Sequence, residues 1–307
     1  MELSSKEAAY FLTIAEERNL TRAAQKMYIS QPSMTQFLQK LERQLGVKLF
    51  VRNGYSMRLT YEGECLATTC KKIVKLCRDF DNELDDIKQL NKGRVIIGMP
   101  FNLLCYVFPL FYPVCQAEIP DIRVIPVEGY SKDLELMIQD GRVDFAVLPL
   151  PLGTPDDFEV RTIIEEQLIL SVPKNYKINQ YAQYKEGEKY QYLDIHLADR
   201  EPFVLGEPEQ RVQKAIEVIF GEADITPKTA FVTKDVTKQI IMSAFGLGMT
   251  VFPEHYLAFS NPREEVNYYY ISGVRNTGWK VGVVWKKDTY LSNAHNYCID
   301  ILTRIFN

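Results

Sequence analysis

Seven apolar residues, Leu66, Cys70, Ile73, Cys77, Phe80, Leu84 and Ile87, follow one another at spacings of 4, 3, 4, 3, 4 and 3. Such an alternation is a heptad seam held over three repeats, and it calls for one long helix whose apolar stripe meets another helix. Thr60 stands where it can cap the start, Glu62 and Glu64 suit the first turn, and Asn91-Lys92-Gly93 supplies a stop. The expected helix covers residues 61–91, a span of ~45 Å at ~1.5 Å per residue. The small head before it, residues 1–60, cannot cover that length, so a second copy of the chain is the natural partner. The seam thus predicts at least a dimer and splits each chain into a head, 1–60, and a body, 92–307.

Charge divides at the same place. The 307 residues carry a formal net charge of −4, yet residues 1–60 hold nine Lys and Arg against five Glu. The body must therefore be strongly acidic, and a basic head on an acidic body points to a polyanion-binding end. With 46% hydrophobic and 25% charged residues the composition excludes disordered and collagen-like chains. No apolar run approaches the ~20 residues of a membrane helix, and Met1-Glu2-Leu3-Ser4-Ser5-Lys6-Glu7 lacks the order of a secretory signal. The expectation is a cytoplasmic protein with no membrane partner. Six cysteines form no C-x-x-C pair and read as reduced thiols, which argues against zinc.

Within the head, Ala8, Phe11, Leu12 and Ala15 predict an amphipathic helix over about 5–17. Thr21 is the expected cap of a second helix running to about Met27, and its Ala23-Ala24 pair allows a close crossing. Ser30 is the expected cap of a third, with Pro32 in its first turn and Gly46 as C-cap. Met34, Leu38, Leu41 and Leu45 face inward there, while Gln31, Thr35, Gln36, Gln39 and Arg43 face out. Amides, hydroxyls and guanidinium groups are what reads base edges in a major groove, although a solvated helix face has the same composition. Two strand-like runs, Val47 to Arg52 and Met57 to Thr60, flank Asn53-Gly54, a strong hairpin signal. Three helices and a basic hairpin make a winged helix-turn-helix.

These residues carry a resemblance. Ala23-Ala24, Ser30-Gln31-Pro32-Ser33-Met34-Thr35, Leu41-Glu42-x-x-Leu45-Gly46-x-x-Leu49-Phe50-x-Arg52 and Leu59-Thr60-x-x-Gly63 resemble the N-terminal signature of LysR-type transcriptional regulators. The resemblance implies a third helix lying in the major groove of a double-stranded DNA operator, with Thr21, Ser30, Gln31, Pro32, Ser33, Thr35, Gln36 and Gln39 as its DNA-binding set. Arg52 on the wing would reach the minor groove or backbone. Gln36 departs from the family, which usually has Arg there. The resemblance also implies paired linker helices, an interrupted palindrome as target, assembly as a dimer or tetramer, and RNA polymerase as a further partner.

Beyond Gly93 the periodicity changes. Short apolar runs at 95–98, 122–127, 143–148, 168–172, 203–205, 229–232, 249–252, 268–271 and 280–285 alternate with helical stretches, which predicts buried parallel strands in βαβ units. The fold class is α/β, and two lobes of similar design leave a gap as the default ligand pocket. Gly98 to Pro109, Glu128-Gly129, Gly141-Arg142-Val143-Asp144-Phe145-Ala146, Val172-Pro173, Arg211 and Gly246-x-Gly248 resemble the same family's effector domain, itself similar to type 2 periplasmic binding proteins. Carried over, lobe I is 92–163 with 268–307 and lobe II is 164–267. The implied effector contacts are Pro100, Phe101, Asn102, Ser131, Leu148, Phe203, Thr233 and Gly248. Asn102 opens a helix whose free N–H groups favour a carboxylate, so an organic acid or amino acid is the expected effector and no cofactor is implied.

An enzyme is the competing class. Three histidines, His196, His255 and His295, show no metal-ligand spacing, and the chain has no phosphate loop and no G-x-S-x-G. No catalytic or metal-ligating residue is assigned. A solute receptor without a specific DNA target is the other alternative, and the basic head weighs against it. The segment 174–199, with Tyr181, Tyr184, Tyr190 and Tyr192 among Lys and Glu, gives no readable pattern.

Overall fold

The computed structural model describes residues 3–53, 56–87, 93–150, 156–258 and 265–306, with the side chains of 52, 53, 82 and 85–87 outside that set. Helix α1 (Ser5–Glu17) starts with a capping box in which Ser4 accepts the Glu7 N–H and Glu7 accepts the Ser4 N–H. Helix α2 (Leu20–Lys26) is capped by Asn19, whose Oδ1 accepts the N–H groups of Thr21 and Arg22. The expected cap, Thr21, is instead inside the helix, because the asparagine carbonyl reaches two free donors at once. Helix α3 (Gln31–Leu45) begins at Ser30 and ends at Gly46 in the left-handed region, φ 69°. Strands β1 (Phe50–Asn53) and β2 (Ser56–Leu59) pair antiparallel as the wing. Gly54 of the expected turn lies outside the described residues.

Helix α4 (Tyr61–Ile87) follows, with Thr60 accepting the Gly63 N–H at 3.0 Å as its cap. Its apolar stripe is used in two ways. Leu66 and Cys70 are buried in the head core with Phe11, Ile14 and Met34, so these two predicted seam residues face their own chain. Farther along, Cys77 and Phe80 are exposed, and Leu76, one step off the heptad, is exposed as well. The free stripe is rotated because α1 packs along the first turns of α4. The side chain of Ile87 and the expected stop at 91–93, apart from Gly93, lie outside the described residues.

The body contains β3 (Gly93–Met99), α5 (Phe101–Glu118), β4 (Ile122–Glu128), α6 (Ser131–Gln139), β5 (Phe145–Pro149), β6 (Phe158–Pro173), β7 (Gln191–Asp194), β8 (Pro202–Gly206), α7 (Arg211–Glu222), β9 (Lys228–Thr233), α8 (Val236–Ala244), β10 (Thr250–Pro253), β11 (Val266–Ser272), β12 (Gly278–Lys286) and α9 (Asn293–Phe306). One sheet runs β4-β3-β5-β12-β6-β11-β7, with β10 also on β6. It is mixed: β3 pairs parallel with β4 and β5, but β12 is antiparallel to β5 and β6, and β10 and β11 are antiparallel to β6. The expectation of a wholly parallel sheet fails where the chain returns between lobes, since a returning strand runs the opposite way.

Strand β6 belongs to both lobes. Residues 158–167 pair with β12, and residues 168–173 pair with β10 and β11. Strand β11 pairs with β6 and β7, so by strand pairing residues 266–272 lie with lobe II. Strand pairing thus changes partners at 167/168 along β6 and again between β11 and β12. The unreadable segment holds a short 3-10 turn, Lys177–Tyr181, and strand β7 on the sheet edge. No helix among the described residues is long and apolar enough to cross a membrane.

Candidate functional site

The outward face of α3 follows from its amphipathicity. Met34, Leu38 and Leu41 are buried in the head core, which turns Gln31, Pro32, Ser33, Gln36 and Gln39 out to solvent and leaves Thr35 half-buried. In the free protein these groups satisfy one another. The Gln31 amide donates to Thr35 Oγ1 at 2.9 Å, and the Thr35 hydroxyl donates to the Gln31 carbonyl at 3.0 Å. Ser30 accepts the Ser33 N–H at 3.2 Å, and the two serine hydroxyls lie 2.7 Å apart. Thr21 is exposed on the neighbouring α2. Arg52 sits in β1 opposite Met57, and its side chain lies outside the described residues.

Two features of the head escaped the sequence reading. Tyr28, in the turn between α2 and α3, has φ 55° and is 96% exposed, so an aromatic ring stands in solvent beside α3. Glu42 is the other. It is buried on the inner side of α3, accepts the Leu49 N–H at 3.0 Å and the Lys48 ammonium at 2.6 Å, and so ties α3 to the wing. Burial works against its charge, but Lys48 and the N–H groups of Leu49 and Phe50 outweigh that and hold the carboxyl below its ordinary value. A charged residue at an inward helical position, six before a lysine, was the available signal.

In the body, α5, α6 and α7 each start at the carboxyl end of a strand, and none has a side-chain cap. Their first N–H groups are thus available to an anion. Among the described residues, polar contacts cross between the lobes at Asn102, at Arg211 and at His255, which pairs with Glu166. The Asn102 amide donates to the Tyr256 hydroxyl at 3.0 Å, while Asn102 Oδ1 is buried without a partner. Arg211, the first residue of α7, pairs with Glu135 of α6 and donates to the carbonyl of Pro149 at the end of β5. Tyr256 is deeply buried, which raises its hydroxyl well above the ordinary tyrosine value and keeps it neutral.

The predicted effector set divides. Pro100, Asn102, Ser131 and Thr233 stand half-buried at the ends of β3, β4 and β9, and Phe101 is 56% exposed. Leu148 and Phe203 are fully buried within the lobes. Phe203 packs edge-on against Phe220, ring centres 5.1 Å apart. Gly248 is also buried, and a Cβ there would stand 2.8 Å from the Pro202 carbonyl oxygen, so its lack of a side chain serves strand packing. Glu135 and Tyr256 were missed, because charge and aromatic type alone do not say which helix end faces the other lobe.

Buried histidines serve the scaffold. His255 pairs with Glu166 between the rings of Tyr106 and Tyr256, and His295 Nε2 lies 3.5 Å from Asp144. Burial pushes the Cys70 thiol up to about 11, which removes the thiolate that redox chemistry needs. No cluster of three or more His, Cys, Asp or Glu able to hold a metal occurs among the described residues.

Comparison with known proteins bears on both halves. The family model for the bacterial regulatory helix-turn-helix protein, lysR family, matches residues 6–64, and that for the LysR substrate binding domain matches 88–307. The chain is 28% identical to the uncharacterised HTH-type transcriptional regulator YwbI of Bacillus subtilis over 287 residues, 93% of this chain and 91% of that one. Among solved structures, full-length OxyR of Pseudomonas aeruginosa superposes with a TM-score of 0.74 at 20% identity, covering 100% of this chain and 95% of that chain. CbnR in complex with its target DNA gives 0.67 at 19% identity, covering 99% and 100%. A basic helix-turn-helix with an outward polar helix, joined by one long helix to a two-lobed body and matched by both family models, places the chain in the LysR family: it is a transcriptional regulator with a DNA-binding head and an effector-binding domain.

Proposed function

We propose that this regulator reads an interrupted palindrome as a dimer, through α3, and that an anionic small molecule between the lobes alters the spacing of its two heads. The carrying observation is the face of α3, where Gln31, Pro32, Ser33, Gln36 and Gln39 are exposed together behind a fully packed core side. Gln31 and Gln36 then contact base edges, Thr35 and Ser33 position the helix, and Arg52 supplies the wing contact. The head pairs through the free stripe of α4, where Leu76 is 68% and Phe80 57% exposed. Beside its first turn Leu45, Val47, Tyr61 and Cys65 line an apolar groove of about 340 Å³ that extends this surface. Acting where the genome is, the dimer or a tetramer of it would meet RNA polymerase at the promoter.

In the cleft, a ligand carboxylate would replace Glu135 and the Pro149 carbonyl on the Arg211 guanidinium, and Asn102 with the first turn of α5 would be the second point of attachment. A ligand shifts the assembly only by binding one arrangement of lobes more tightly than another. The test is selection of bound DNA from a random pool at several salt concentrations, with wild type and Thr35→Ala. A two-fold-related motif, affinity falling steeply with salt and selectivity reduced in the variant are the expected results. Equal enrichment of all sequences would overturn the reading.

A further inference from the structure

Past the head, α4 carries three basic residues, Lys71, Lys75 and Arg78, at i, i+4 and i+7, on the side turned away from Leu76 and Phe80. All three meet the turn between α6 and β5 of lobe I in the same chain. Lys71 Nζ lies 2.5 Å from Asp140 Oδ2. The Lys75 ammonium folds back to Asp79 at 2.6 Å, which lays its methylene stem over Gly141. Gly141 has φ +69°, and a Cβ there would stand 2.1 Å from Lys75 Cδ, so backbone and stem are in direct contact. Arg78 closes the contact. Its Nη2 donates to the Gly141 carbonyl at 2.8 Å and lies 2.8 Å from Asp144 Oδ1, with the arginine side chain 11% and the aspartate side chain 5% exposed.

Asp144 is the hub of this junction. It accepts the Ile96 N–H at 2.7 Å from β3 and faces His295 from α9. Ser292 donates its N–H to His295 Nδ1 at 3.0 Å, which leaves the ring proton on Nε2 toward the aspartate. Lobe I thus supplies Asp144 with a backbone N–H and a histidine, and the linker helix adds the guanidinium of Arg78. A buried carboxylate stripped of its cation is costly, so the helix and the turn complete each other. The partner of this acidic turn is a basic helix stripe, and the chain itself provides one at the right spacing.

We propose that the 140–144 turn is a docking surface for the linker helix of its own chain, and that Arg78 is the positioning residue that fixes the reading head to lobe I. Head, α4 and lobe I then move as one body, and lobe II is what a ligand moves against them. The transmission to DNA rests on the regulator reading above, whereas the docking itself does not.

The test uses full-length protein with Lys71→Asp, Asp140→Lys, the two combined, Arg78→Leu and Arg78→Lys. In the free protein, hydrogen exchange across 71–79 and 140–144 should speed up about fivefold or more in the single charge reversals and in Arg78→Leu, and return toward wild type in the combined swap and in Arg78→Lys. On DNA recovered with wild type, the single reversals and Arg78→Leu should keep affinity for one half-site but change the length of the nuclease-protected region, with the swap restoring it. Unchanged exchange in the reversals, or a swap no better than its parents, overturns the docking. Restored exchange with footprints identical in every variant overturns the positioning role. If wild type selects no DNA, the regulator reading fails while the exchange measurement still judges the contact.

Discussion

Position 36 is an exposed glutamine on the outward face of α3, the face proposed to read DNA. Gln36→Arg should move operator preference toward guanine at one position in each half-site, by about 1–3 kcal/mol of discrimination, read by competition between single-base operator variants. Glu42 makes a prediction of another kind. Its Ala variant loses a charge-assisted bond to Lys48 and leaves the Leu49 N–H unpartnered, so the head should unfold about 1–3 kcal/mol more easily in chemical denaturation. Because the folded carboxyl is held below its unfolded value of about 4.3, its contribution is complete above that pH and fades as pH falls through the lower folded value. Acid titration of wild type and Glu42→Gln should therefore converge only well below pH ~4.

Among the elements, α4 joins the head by a contact that leaves no room. A Cβ on Gly63 would stand 2.2 Å from the Leu49 carbonyl oxygen, and that oxygen already accepts the Thr60 N–H at 3.0 Å. Gly63→Ala should therefore lower head stability by about 1–3 kcal/mol by overpacking, visible as a lower melting temperature. Farther along, Leu76→Asp with Phe80→Asp should give monomers in sedimentation while the melting of the isolated chain changes little. The same helix shows what a sequence pattern can and cannot say. Periodicity located its start and Thr60 its cap, because spacing and N-cap chemistry are local; the expected stop, apart from Gly93, lies outside the described residues. It misassigned Leu66 and Cys70 to a partner, because a heptad stripe is indifferent to whether α1 or another molecule covers it. Strand 158–167 was invisible for a related reason: Glu159, Arg161, Glu165 and Gln167 point outward from a half-buried strand and break up its apolar run. Asn19 and Ser30 illustrate the local case again, one cap displaced by two residues and the other as expected.

At the scale of the molecule, the two lobes meet through Arg211, Glu135 and Pro149 on one side and through Asn102 and Tyr256 on the other. Arg211→Ala and Glu135→Ala should be non-additive in unfolding free energy, with a coupling of about 0.5–3 kcal/mol in a double-mutant cycle. Any carboxylate that raises the melting temperature of wild type should lose that effect in Arg211→Ala. Such an outcome would tie the ligand to this pair; a persisting shift would place it elsewhere. That the body has two α/β lobes was readable from alternating strands and helices, but the pairing across the gap was not, since it joins residues 76 positions apart. The unbroken run of β6 through both lobes has a mechanical consequence. A strand paired on either side of 167/168 behaves as a torsion rod: bending it breaks ladder bonds, whereas winding it a few degrees breaks none. Motion between the lobes is then expected to be a small twist and not a gape, which hydrogen exchange along 158–173 with and without ligand would check. At the end of a 27-residue lever, ~40 Å long, a turn of ~10° displaces a head by ~7 Å, about two base-pair steps along the duplex.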